Sequence, residues 1–398
     1  MGNHLKLVTF IKNNYLAYYL PFFIGTTLIP IDYRHIYAIN LVFFFPWFLL
    51  DLKSNIHLIK TSKITKVSFI LAVFVLLHWI IFSAINHDFN WVNFYYSIAY
   101  GVQFFMFSPM LEKNMNHQKY VEVLYKVFLV LGCVGICSFF LGLTQVANPF
   151  ELPYILNINR AYFSFMLWII FMISVVQKRY GISLFFFIVL LFNLARIIIA
   201  LSFALICFKW LLDKVNRKKS MQLLLSMIII TIIATSIFSP LKLVFKRMIA
   251  PKINTVTTNN IYNKEGYKSD HGRVRVLHIG INVIKEHWKF GVGAGEYWKV
   301  AVDKVPKKYQ QLAPSIATPH NTYLYTLATY GILGLILYLM IFIAVINKYK
   351  TSKTHMIIIG LLSIYLLLAE PFTKPMTYYL LFVLFGLKVG QETMCREK

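Results

Sequence analysis

Apolar runs of about twenty residues recur along this chain, and they leave few folds open to it. A helix needs about 20 mostly apolar residues to cross a bilayer. Inside hydrocarbon its backbone polar groups must be satisfied by the helix itself. Twelve stretches fit: 14–31, 36–51, 67–85, 92–111, 122–145, 161–177, 182–195, 196–212, 221–245, 321–347, 355–370 and 375–388. The 398 residues are 58% hydrophobic and only 14% charged, where a soluble domain carries about 25% charged residues. An ordinary cytosolic enzyme, a disordered chain and a disulfide scaffold are thereby excluded. The expectation is an all-α, polytopic integral membrane protein. It has about twelve transmembrane helices and one long outer loop that contains an amphipathic helix.

Charge sets the expected topology. The net charge is +25, from 40 Lys+Arg against 15 Asp+Glu. In a soluble protein that excess would suggest nucleic acid. Here the basic residues sit in short loops, where they fix orientation, and no nucleic-acid partner is expected. With the N-terminus cytoplasmic, segments 1–13, 52–66, 112–121, 177–181, 209–219, 348–354 and 388–398 hold 21 Lys+Arg. The short loops opposite hold only Arg34, Arg160, Arg196 and Lys374. Both termini are then inside. The first apolar stretch reads as a retained span rather than a cleaved signal. Region 182–212 must turn near Arg196, although the sequence also permits one long helix there. The expected divisions are nine helices over 1–245, the outer loop with short helices over 246–319 and three helices over 320–398.

The outer loop is basic against the rule, with 13 Lys+Arg in 246–319. Long loops cross regardless of charge, so this excess needs another reason. An anion such as a phosphate is the natural one, because an Arg fork matches its oxygens and Lys adds a point charge. Asn254 to Asn263 reads as irregular. Arg273 to Trp288 (RVRVLHIGINVIKEHW) has the pattern of an amphipathic helix at the membrane surface. Gly291, Gly293 and Gly295 follow in GVGAGEYW. That stretch resembles a phosphate-cradling loop, but it lacks the Lys-Ser/Thr of a P-loop, and a sharp turn is the better reading.

Several side chains are candidates for chemistry. His320 opens PHNTYL where the outer loop enters a helix, and a neutral imidazole there can take a proton from an attacking hydroxyl. An interfacial or capping histidine is the plainer alternative. Arg196 interrupts the apolar run LFFFIVLLFNLARIIIALSFAL; such an ionisable group needs an anion or else anchors a turn. Arg273 and Arg275 open the amphipathic helix, where free backbone N–H groups add to anion binding. Headgroup contact is the alternative there. Arg160, Asn321 and Gly293 are supporting candidates, and Arg160 equally suits a solvated loop beside Glu151. Cys133, Cys137, Cys207 and Cys395 lack zinc-site spacing. No HExxH or sugar-nucleotide Asp-x-Asp pattern is present and outer carboxylates are few. The expectation is a reaction with no metal and no cofactor, on an already activated phosphate ester.

An Arg in a late mid-chain helix, a long outer loop with an Arg-bearing helix, GVGAGEYW and then HNTYLYTLATYGILG resembles the O-antigen ligase/O-antigen polymerase superfamily of bacterial envelope glycosyltransferases. The resemblance is clearest over 190–345. It implies a multi-pass enzyme of the inner membrane with its site facing the periplasm. The implied donor is a glycan on undecaprenyl pyrophosphate, held among membrane lipids. The acceptor is the lipid A core for a ligase, or a lipid-linked repeat unit for a polymerase. By the same resemblance His320 is the essential histidine, Arg196 the membrane-end arginine and Arg273 the loop arginine. Arg275 has no assigned counterpart. The single basic outer loop and compact size favour a ligase. A lipid-linked oligosaccharide flippase would share the basic groups, but the internal repeats of such transporters are not seen.

Overall fold

The structure is a computed structural model. It describes residues 48–49, 51–87, 89, 94, 101–102, 105–106, 108–111, 117–140, 160–193, 195–238, 269–305, 319–368 and 384–385. Regular structure among the described residues is helical throughout. Eight of the expected spans fall on helices. The spans expected at 14–31, 36–51, 92–111 and 375–388 lie wholly or largely outside the described residues. Among the described residues, three helices are long and apolar enough to cross a membrane: Lys63–Ile85, Arg217–Ile237 and Thr322–Tyr349.

In chain order the helices are α1 (Leu52–Thr61), α2 (Lys63–Ile85), α3 (His117–Phe140), α4 (Arg160–Val176), α5 (Tyr180–Phe192) and α6 (Arg196–Leu212). They continue with α7 (Arg217–Ile237), α8 (Ser269–His287), α9 (Tyr297–Asp303), α10 (Thr322–Tyr349) and α11 (Lys353–Leu366). Caps explain several starts. The Ser62 hydroxyl accepts the Thr65 N–H at 3.2 Å, so α2 begins before its apolar run does. Ser352 opens α11 in the same way, accepting the His355 N–H. Such caps satisfy donors that the first turn leaves orphaned.

Region 182–212 is a hairpin, not one helix. The chain turns at 193–195, and Phe187 of α5 packs edge-on against Phe203 of α6. α4 and α5 form the preceding hairpin, with the Ser174 and Ser183 hydroxyls 2.7 Å apart and Phe171 against Phe187. Phe192 at the end of α5 meets Phe238 just past α7. Tyr365, near the end of α11, stacks on Phe165, near the start of α4. α2 and α10 run antiparallel, His78 meeting Tyr330 while a Cβ on Gly334 would lie 3.3 Å from Phe74.

These pairings fix which termini share an end of the bundle. One end gathers the start of α4, the α5–α6 turn, the ends of α2, α7 and α11, and the start of α10. The other gathers the α4–α5 turn, the α6–α7 turn and the end of α10. At that second end Arg179 pairs with Glu122 of α3, and the Lys348 ammonium donates to the Leu111 carbonyl at 2.7 Å.

Two apolar cores result. The larger is aromatic-rich, with Phe165, Trp168, Phe171, Phe186 and Phe187 fully buried in it. A smaller one joins Val276, Ile279 and Val283 of α8 to Val292, Tyr297 and Ala301, and to Tyr325 and Ala328 of α10. The helix expected at 273–288 therefore exists as α8, but its main apolar face packs on protein. α9 and the first third of α10 supply a closer apolar surface than a bilayer would. Leu277 and Ile281 remain exposed on its other side.

Candidate active site

The site end is organised by a break in α10. Gly331 sits at φ 68°, ψ −170°, and divides the helix into Thr322–Tyr330 and a longer second part. A break frees carbonyls before it and amides after it. Here the glycine-rich turn supplies the partners. Val292 N–H donates to the Ala328 carbonyl at 2.9 Å, Gly293 N–H to Thr329 at 3.0 Å, and Ile332 N–H to the Trp288 carbonyl at 2.9 Å. The approach is backbone on backbone. A Cβ at Gly291 would lie 2.3 Å from the Thr329 oxygen, and one at Gly331 would lie 2.3 Å from the Lys289 oxygen. The amides of Val292 and Gly293 are therefore taken up by α10, and the turn reading prevails over the phosphate cradle. His78 of α2 holds the same seam, its Nε2 2.7 Å from the Phe290 carbonyl.

His320 lies just outside α10, between two anchored neighbours. Pro319 is buried against α8, where a Cβ on Gly280 would come within 2.9 Å of the Pro319 Cβ. The Asn321 carboxamide oxygen accepts the Leu324 N–H at 2.9 Å, capping α10. Its Nδ2 donates to the Leu367 carbonyl at 3.0 Å, at the end of α11. His320 itself takes φ 49°, a left-handed conformation, and is exposed. Histidine visits that region more readily than most residues, but the conformation still costs about 1–3 kcal/mol and persists only where the surroundings over-determine it. The anchors on either side do so, and they turn the imidazole outward.

Arg196 is the first residue of α6, at the tip of the α5–α6 hairpin and at the His320 end of the bundle. Ala195 gives that helix no side-chain cap. The hairpin arms have 13 and 17 residues, about 20 and 25 Å at helical rise. Arg196 is partly buried against the protein.

The other predicted groups differ in placement. Arg160 opens α4, at the same end of the bundle. Arg273 lies in the first turns of α8, seven residues before Gly280 and about 10 Å from it along the axis. Arg275 is 2% exposed and engaged with the protein itself. Asn321 and Gly293 have the structural bonds already given. Glu286 of α8 accepts from the Lys304 ammonium at 2.5 Å just past α9. That bond holds its carboxyl below the usual range.

Sequence reading missed the break in α10, the second bond of Asn321 and helix α1. The one available signal for the break was Gly331 itself, an isolated glycine inside a helical pattern.

Residues 181–339 match the family model described as O-antigen ligase. No curated protein matches the chain at a significant level. Members of this family are membrane enzymes that transfer glycans, ligases and polymerases alike. The matched stretch holds the α5–α6 turn with Arg196, α8, the glycine seam and the His320 corner of α10. The similarity to the O-antigen ligase family thus covers residues 181–339 of the chain.

Proposed function

We propose that the chain is an inverting, metal-independent glycosyltransferase that moves a glycan from undecaprenyl pyrophosphate to an acceptor sugar at the periplasmic face. The acceptor is the lipid A core, which makes it an O-antigen ligase of the bacterial inner membrane. The observation that carries this reading is the position of His320, exposed and held from both sides at the bundle end that also carries Arg196. The described lysines and arginines of the short turns, Lys178, Arg179, Lys214, Arg217, Lys218, Lys219, Lys350 and Lys353 among them, crowd the opposite end. That distribution supports a cytoplasmic opposite end and a periplasmic His320.

In the proposed step the acceptor hydroxyl oxygen attacks the anomeric carbon of the donor from the face opposite the pyrophosphate. His320 takes the hydroxyl proton. The anomeric C–O bond breaks, and its electron pair leaves with the lipid pyrophosphate, so one displacement inverts the configuration. Arg196, with the α6 amides, and Arg273 offset charge building on the leaving group; one such donor is worth about 3–4 kcal/mol of barrier. Arg160 and Arg275 support the same anion from farther out. The base contributes about 10²–10⁴-fold.

His320→Ala tests this reading. Its expected effect is a loss of transfer of that order at normal protein level and unchanged helicity. Undiminished transfer by a well-expressed variant would overturn the role given to His320. Glycan profiling of a deletion strain separates the two acceptors. A lost ligase leaves lipid-linked polymer and bare core; a lost polymerase leaves core capped by one repeat.

A further inference from the structure

A cavity of about 360 Å³ opens between the last two turns of α2 and the segment that joins the glycine seam to α9. Trp79 and Phe82 give it an aromatic wall, and Ser83 and Asn86 add a hydroxyl and a carboxamide from the same helix. Across from them stand the backbone at Gly293 and the side chains of Glu296 and Lys299. Glu296 and Lys299 pair at 3.0 Å, so the polar wall carries no net charge. Glu296 is only 15% exposed at its side chain, and the Lys299 ammonium lies 3.0 Å from each of its two oxygens, which keeps the carboxylate oriented, while each oxygen has two lone pairs.

We infer that this cavity is a subsite for a neutral pyranose ring. Such a ring has an apolar C–H face, which suits the negative face of an aromatic side chain, and an edge of hydroxyls, which suits a carboxylate, an amide and an ammonium together. A diphosphate has neither the apolar face nor a use for Glu296. Pockets that combine an aromatic lining with a few converging polar groups are the usual form of a small-ligand site. The wall at Gly293 is bonded to Thr329, nine residues beyond His320 along α10, about 13 Å at helical rise. The subsite thus holds a sugar removed from the bond being made. Binding there positions the glycan without entering the chemistry. This inference rests on the glycan-transfer reading.

The test is saturation-transfer NMR on the full-length protein in nanodiscs, with methyl glycosides of glucose, galactose and N-acetylglucosamine, and glycerol as the control. At least one pyranoside is expected to receive saturation at its ring C–H protons, with glycerol silent. Glu296→Gln and Trp79→Phe should each weaken that binding by about tenfold, the equivalent of 1.4 kcal/mol. In transfer assays Glu296→Gln should raise KM several-fold with kcat little changed. Glu296→Gln is the safer variant for folding, because it is isosteric and sits on the cavity wall rather than in a core. No pyranoside signal in the wild type, or a signal indifferent to Glu296→Gln, overturns the inference. His320→Ala should leave pyranoside binding intact, so a failure of the catalytic reading and a failure of this one give different results.

Discussion

His320 owes its orientation to residues that do no chemistry, and Asn321 is the most telling of them. Its side chain accepts from the Leu324 amide and donates to the Leu367 carbonyl, so one carboxamide caps α10 and ties it to α11. Asn321→Ala should lose about 1 kcal/mol of capping along with most transfer activity. Asn321→Asp keeps the acceptor that caps the helix but loses the donor to Leu367. It should unfold near the wild-type temperature yet transfer poorly; full activity in this variant would show that the tie to α11 is dispensable. Glu286 supports a second residue-scale prediction. Its hydrogen bond to Lys304 depresses its pKa from 4.5, so the stabilisation it brings is present above that value and is lost as pH falls through the lowered one. Protection of the α9 amides, measured against their intrinsic exchange rates, should hold from neutral pH down to about pH 5 and fall only in stronger acid. Glu286→Gln should remove that pH dependence. The PHNTY motif made His320 and Asn321 legible in the sequence. The partner at Leu367 was not, because 46 residues separate it from Asn321.

At the scale of the element, helix positions followed from apolar length, and interruptions did not. The α5–α6 hairpin was left open by the sequence, because Asn193 and Arg196 are too few polar residues to decide between a turn and a continuous helix. The break in α10 was hidden more completely. Its apolar run is unbroken, and the groups that fill the gap come from about forty residues upstream, in the turn at 291–293. α1 was missed because it is short and polar enough to read as loop. The break makes a sharp prediction. Both Gly291 and Gly331 take positive φ and face carbonyl oxygens of the opposing strand of backbone. Alanine at either site adds a left-handed penalty of about 1–3 kcal/mol to a backbone clash. Gly291→Ala and Gly331→Ala should each lower the thermal midpoint in detergent clearly, whereas Gly360→Ala, whose Cβ would meet nothing within 4 Å, should be near neutral or stabilising. Equal midpoints for all three would show that the seam does not hold the site end together.

For the whole molecule, orientation is the property that matters most to the proposed function. With Cys133, Cys137, Cys207 and Cys395 removed, a single cysteine placed at position 320 should react with a membrane-impermeant thiol reagent applied from the periplasm. One at position 178 should react only after the inner membrane is opened. Labelling of both from one side would set the charge argument aside. The counts of Lys and Arg in short loops carry this expectation. What they could not give was the assembly of the site end, which depends on hairpin partners and on an outer core shared between α8, α9 and α10.

The seam between the glycine turn and α10 is fastened by main-chain amides and carbonyls. Apart from His78 and the two glycines, such fastening asks for no particular side chain. On the proposed glycan-transfer reading, residues lining the approach to His320 can therefore be exchanged, and with them the saccharide accepted, while the alignment of that corner is kept. A chain built this way is a scaffold whose substrate range can be re-engineered without redesigning its framework.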